Sequence, residues 1–226
     1  NIAFLTRMTR GTPWVRMKTA VTLDGRTAFP DGRSQWITGE AARADVQFWR
    51  GRAGAVLTGI GTVLADDPQM NVRLPDQERQ PLRIVIDPRM ETPPAGKLLT
   101  SKGGRVFIAA AAEYPTRRAA LEAAGAEVWV LPDAAAPGRV DLRELMRELA
   151  KREVNEVHVE AGPGLSGALF AAGLIDEMLF YYAPCLFGAG MGPAAVPLPA
   201  EPGAAYRWRL QSLDQIGGDF RVLLRR

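Results

Sequence analysis

Nine short apolar runs, half of the gaps between them filled by stretches of helical character, constrain this chain more than any other feature. They lie at 15–23, 54–58, 82–87, 105–109, 127–131, 156–160, 178–184, 207–213 and 220–224. The middle runs are almost wholly apolar, as strands covered on both faces must be. Helical patterns fall between them at 39–52, 115–124, 142–151 and 164–172. Thr38 and Asp141 stand where N-caps belong, the second with Glu144 three residues on, and Gly125 and Gly173 stand where helices end. The alternation predicts an α/β fold with a mostly parallel central sheet flanked by helices. Only 214–219 join the last two runs, so these are expected to pair as an antiparallel hairpin at one edge.

Composition removes several classes of function. The chain of 226 residues has one cysteine, Cys185, and one histidine, His158. That excludes a disulfide framework and leaves almost nothing to ligate a metal. His158-Val159-Glu160 followed by Pro184-Cys185 resembles part of a zinc-deaminase signature, but the place of the second cysteine is taken by Gly188. Two ligands do not make a zinc site, and His158 is expected as a packed core residue. The formal charge of +3 does not call for nucleic acid but suits an anionic small molecule. Residues 178–200 carry no charge, yet they hold four prolines and three glycines. A strand followed by a loop is expected there, not a membrane span, and no membrane partner. The basic stretch 1–18 is expected to begin as a linker.

Two regions can carry chemistry. Gly162-Pro163-Gly164-Leu165-Ser166-Gly167, followed by Ala168, is a literal G-x-G-x-x-G between a strand and a helix. Such glycines let backbone N–H groups approach a phosphate, helped by the helix N-terminus. A Rossmann fingerprint also needs an acid at the end of the next strand, and Tyr182-Ala183-Pro184-Cys185 supplies none. The motif is therefore either a phosphate cradle in another fold or a tight turn, and Gly164 is a candidate for positive φ. The second region is N-terminal: Lys18 to Arg26 as a strand ending in a D-G turn, a polar loop from Gly32 to Gly39, and a glycine-rich segment from Gly59 to Pro68. Each has an ordinary structural reading alone, Thr38 as a cap, Trp36 as core filler and Asp67-Pro68 as a turn. Together they put Lys18, Arg50 and Arg73 near strand ends, where α/β sheets bind ligands and arginine forks suit phosphate.

At these residues the sequence resembles the reductase half of the bifunctional deaminase-reductase of riboflavin biosynthesis. The runs that carry the resemblance are PWVRMKTAVTLDGRTA at 13–28, SQWITGEAARADVQFWR at 34–50, GTVLADDP at 61–68 with Arg73, PLRIVIDPR at 81–89 and VEAGPGLSGALFAAGLIDE at 159–177. The resemblance implies a dihydrofolate-reductase-like fold for 13–226 as one reductase domain, with 1–12 as the remnant of a linker after a deaminase. It implies NADPH-dependent reduction of 5-amino-6-(5-phosphoribosylamino)uracil to its ribitylamino product, in a cytoplasmic homodimer. Ser34, Arg50, Met70, Arg73 and Glu160 match substrate-contacting positions. Ala20, Trp36, Thr62, Asp66, Pro88 and Gly162, Pro163, Gly164, Leu165, Ser166, Gly167 and Ala168 match cofactor-contacting ones. Lys18 and Glu160 are the candidate catalytic residues, and no metal is implied. Met70 stands where leucine is usual, a near-isosteric exchange. Two other readings are a reductase of the undeaminated 2,5-diamino pyrimidinone and a nucleotide-binding module without catalysis.

Overall fold

The computed structural model describes residues 1–34, 36–75, 77 and 79–226, so Gln35 of the second matching run lies outside the described residues. The chain forms two compact units, each discontinuous in sequence: Asn1–Trp14 with Gln47–Val159, and Val15–Val46 with Glu160–Arg226.

The first unit holds α1 (Ile2–Arg10), β2 (Ala55–Gly59), α3 (Ile60–Asp66), β3 (Leu82–Ile86), α4 (Lys97–Thr100), β4 (Val106–Ala110), α5 (Pro115–Ala123), β5 (Ala126–Val130), α6 (Leu142–Lys151) and β6 (Glu156–Val159). Its strands run parallel in the order β5-β4-β3-β2-β6. They are short and apolar because both faces are covered, and every residue of β4 is buried. On one side Val56, Val85, Val106 and Ile108 pack with Val63, Met70, Met90, Leu98 and Leu121. Asp141 caps α6 as expected, its Oδ1 accepting from the N–H groups of Arg143 and Glu144 at 2.9 Å. Leu145, Met146, Leu149 and Ala150 of that helix are buried. His158 lies in β6 beside Val56 and is fully buried, as a core histidine should be.

The second unit holds most of β1 (Trp14–Thr22), the first half of α2 (Glu40–Arg52), α7 (Pro163–Ala171), β7 (Glu177–Ala183), β8 (Arg209–Ile216) and β9 (Asp219–Arg225). β1 and β7 are parallel, whereas β7-β9-β8 are antiparallel, which is the expected C-terminal hairpin. Buried Arg16 of β1 pairs with fully buried Glu177 of β7, and Arg225 Nε donates to the other Glu177 oxygen at 2.7 Å. The 178–200 stretch is β7 followed by a loop, as expected. No helix is long and apolar enough to cross a membrane.

Three helices go beyond what the sequence pattern announces. Residues 1–12, expected as a linker, carry α1, capped by the Asn1 side chain and tied by Arg7 Nε donating to Asn155 Oδ1 at 2.7 Å. The glycine-rich segment after β2 winds into α3, a helix too short to show a period. α4 was not expected at all and is four residues long. The D-G turn is as expected: Gly25 has φ 74°, and the Asp24 carboxylate accepts from the N–H groups of Phe187 and Gly188. The Thr22 hydroxyl leads the hydrogen bonds that hold the Asp24 carboxyl below its ordinary range.

Candidate active site

In the first unit Arg50, Met70 and Arg73 gather around one loop. β2 runs directly into α3, and register sets Gly59 beside Ile86, so Thr62 and Pro88 leave the same carboxyl-terminal edge of the parallel strands. Asp66 lies one turn beyond Thr62 on α3. The chain then turns twice through left-handed backbone, at Asp67 (φ 42°) and Met70 (φ 52°). A non-glycine residue in that region costs about 1–3 kcal/mol and persists only where its surroundings hold it.

Here they hold it along its whole length. The Asp67 carboxylate accepts from the Lys97 N–H at 2.7 Å, and the Gln69 carbonyl accepts from Arg83 Nη1 at 3.1 Å. Asn71 Nδ2 donates to the Lys102 carbonyl at 3.0 Å, and the Gln80 side-chain amide pairs with both the N–H and the carbonyl of Val72. The Arg73 N–H donates to Gln47 Oε1 at 3.0 Å. Met70 is buried with Val63, Val85 and Leu98, so its side chain anchors the loop. Arg50 Nη1 donates to the Asn71 carbonyl at 3.2 Å, and Arg73 Nη1 donates to Asn71 Oδ1 at 3.1 Å. Two guanidinium groups from separate stretches of chain thus meet at one residue.

In the second unit Lys18 and Ala20 are the two half-buried residues of an otherwise buried β1. They are two apart and share a face, and parallel register sets Ala20 beside Tyr181. The Tyr181 hydroxyl donates to Asp45 Oδ2 at 2.6 Å, and Arg221 spans the carboxylates of Asp45 (2.9 Å) and Asp214 (2.8 Å). Burial first, then the hydrogen bond to Asp45, pushes the Tyr181 hydroxyl far above its ordinary range, and the Glu160 charge adds to this. Ser34 is half-buried after a turn at Phe29–Arg33, and Phe29 stacks on Phe187 with ring centroids 4.3 Å apart. Trp36 is not core filler: it is 74% exposed, with the Arg43 guanidinium 4.8 Å above its ring.

The glycine motif opens α7, with Gly162 as N-cap and Pro163 in the first turn. Its glycines divide into two kinds. A Cβ on Gly162 or Gly164 would meet nothing within 4 Å, so the backbone there faces open space. A Cβ on Gly167 would lie 2.3 Å from the Ala195 carbonyl oxygen, so that glycine admits a neighbouring loop. Gly164 is helical and does not have the positive φ that the motif left open. Leu165 and Ala168 are half-buried, while Ser166 is fully buried with its hydroxyl directed to the Ala161 carbonyl at 3.3 Å. Glu160 is half-buried directly after β6. Among the described residues no group of three or more His, Cys, Asp and Glu side chains is placed to hold a metal.

The family model of the RibD C-terminal domain matches residues 13–222. The chain belongs to that family. It is 38% identical over 239 aligned positions to the riboflavin biosynthesis protein RibD of Haemophilus influenzae, covering 98% of this chain and 61% of that protein. The structure of Acinetobacter baumannii RibD superposes with a TM-score of 0.86 at 36% identity, covering 99% of this chain and 60% of that one. A Thermotoga maritima deaminase/5-amino-6-(5-phosphoribosylamino)uracil reductase gives a TM-score of 0.80 at 26% identity, covering 99% and 59%. The chain thus spans about three fifths of the RibD proteins it matches. Membership covers both ends of the residue set: the loop bearing Met70 and Arg73, and the glycine turn before α7, both lie within the RibD match.

Several residues that build these sites escape the motif reading. Gln47, Gln80 and Asp45 form no motif of their own, although Asp45 and Gln47 lie within the matching run 34–50. Arg16 and Arg83 do leave a trace, each a cation inside an apolar strand run, where burial demands partners.

Proposed function

We propose that the chain is the reductase part of a riboflavin-biosynthesis deaminase-reductase and reduces 5-amino-6-(5-phosphoribosylamino)uracil with NADPH. The observation that carries this reading is the meeting of Arg50 and Arg73 at Asn71, on a loop held rigid from five sides. Two arginine forks at one place suit a substrate with a phosphate monoester. The open backbone at Gly162 and Gly164 fits a cofactor pyrophosphate, since a side chain at either would fill the space it needs. Bound NADPH supplies the hydride.

The closed ribosylamine opens to an imine at ribose C1′. Reduction at that carbon and protonation of the nitrogen would give the ribitylamino product. The side chains then orient the substrate, compensate charge, and exclude water. Arg50, Arg73, Met70 and Ser34 hold the substrate. Lys18 is assigned the phosphate or proton delivery, and Glu160 the ribose hydroxyls. Ala20, Trp36, Thr62, Asp66, Pro88 and the turn from Gly162 to Ala168 contact the cofactor. The reading places the protein in the cytoplasm, preceded by a deaminase domain, as a homodimer. Exposed Leu210, Leu213 and Phe220, which register sets on one face of β8 and β9, offer an apolar surface for such pairing.

Loss of absorbance at 340 nm with NADPH and the deaminated ribosylamino pyrimidine tests the reading directly. No turnover, or faster turnover of the 2,5-diamino pyrimidinone, overturns it. Glu160→Gln keeps the size of the side chain and removes its charge. It is expected to leave the NADPH Kd within about twofold and to lower kcat roughly 10- to 100-fold. Parent-like turnover in this variant removes Glu160 from the reaction.

Gly164→Val tests the cradle. Gly164 is helical and faces open space, and valine is the better helix former, so the variant is expected to melt no lower than the parent. Its NADPH affinity, titrated by fluorescence, is expected to fall at least about tenfold, because the valine occupies the space of the phosphates. Unchanged affinity means the cofactor phosphates lie elsewhere.

A further inference from the structure

Arg83 is the one cation of β3, with a relative exposure of 4%. Among the described residues its hydrogen-bond acceptors are backbone carbonyls from three separate segments. Nε donates to Gly104 at 2.8 Å, and Nη1 donates to Leu98 at 2.6 Å and to Gln69 at 3.1 Å. Burial pulls its pKa down from the ordinary arginine value, so holding a charge here works against solvation. The surroundings are shaped to admit it: a Cβ on Gly103 would stand 2.9 Å from its Cζ.

The acceptor at Gln69 is the informative one. That carbonyl belongs to the peptide plane whose nitrogen is Met70, and the tilt of that plane sets the Met70 φ of 52°. The left-handed turn at Met70 sends its side chain into the core and the chain on to Asn71 and Arg73. A planar guanidinium reaches three carbonyls at fixed angles, which a lysine ammonium on its flexible stem does not reproduce.

We infer that Arg83 is a positioning residue for substrate binding, acting without contact through the Gln69–Met70 peptide to fix the loop that presents Met70 and Arg73. The inference rests on the proposed function for the identity of the ligand, but not for the mechanical role of the guanidinium. In the sequence Arg83 stands in the IVI-type core of a buried strand, where an aliphatic residue would serve stability alone.

The test uses the full chain with Arg83→Lys, and Arg83→Met as a second variant. Three quantities are read: hydrogen exchange of the Val72 and Arg73 amides, substrate KM, and NADPH Kd. In folded Arg83→Lys the two amides are expected to exchange faster, on the order of tenfold, and substrate KM to rise by a similar factor. NADPH Kd stays within about twofold, a split that general destabilisation would not produce. Parent-like exchange and KM in folded Arg83→Lys overturn the inference, as does faster exchange with unchanged KM. Absence of turnover in the parent, with faster loop exchange in the variant, instead refutes the proposed substrate and leaves the bracing intact.

Discussion

Replacing Arg73 by alanine is expected to raise the substrate KM about 30- to 150-fold, equivalent to the 2–3 kcal/mol of a lost charge-assisted pair. The loop should survive the change. Arg73 is held by its backbone N–H, which donates to Gln47, and Val72 is held by Gln80, so neither tie involves the arginine side chain. The side chain is exposed and its fork contacts Asn71 on the way out. Melting temperature should therefore stay near that of the parent, and NADPH affinity should stay unchanged. Steady-state kinetics at saturating NADPH, with a parallel fluorescence titration, check both. Weakened NADPH binding at constant KM would move Arg73 into the cofactor site.

The second large effect concerns stability alone. Glu177 is fully buried between Arg16, itself 1% exposed, and Arg225. Replacement by alanine leaves a buried guanidinium without its carboxylate. Breaking a buried pair from one side costs about 3–5 kcal/mol, a large part of the stability of a domain of this size. Chemical denaturation of Glu177→Ala should show a midpoint shift of that magnitude, with the cofactor affinity of the folded fraction retained. Loss below about 1 kcal/mol would mean that water or a neighbour replaces the carboxylate. Arg225→Ala should cost much less, because that side chain is partly exposed and Arg16 still faces Glu177.

The strands were the most legible part of the sequence, for a physical reason. Runs such as VFIAA at β4, and LRIVI at β3 apart from Arg83, have no polar face to offer water, so they read as covered strands whatever lies around them. Asp141 was legible because a capping carboxylate acts over three residues. α3 and α4 were not, since seven and four residues fall short of the two turns that make a helical period visible. α1 is not announced by the sequence, since its apolar residues Phe4, Leu5 and Met8 are exposed rather than facing a core. The candidate site divides the same way. The glycines at the start of α7 announce themselves, but only the fold distinguishes the open space at Gly164 from the close approach at Gly167. The bracing of the Met70 loop joins residues up to 31 apart, Asn71 to Lys102, through single hydrogen bonds, and no local pattern records such ties.

The division of the chain into units has a consequence for biosynthesis. The backbone passes between the units three times, after Trp14, after Val46 and after Val159. On the ribosome the first unit has all its residues once Val159 has emerged, whereas β1 waits for β7 about 160 residues later. Until then Val15, Met17 and Val21 have no strand from their own unit beside them, and buried Arg16 has no Glu177. Pairing this distant is slow to form and leaves apolar edges open meanwhile. A nascent chain stalled before Glu177 would thus present a nearly complete first unit with a sticky early strand, a natural target for chaperones. Because each unit is discontinuous in sequence, no single cut in this stretch separates one from the other.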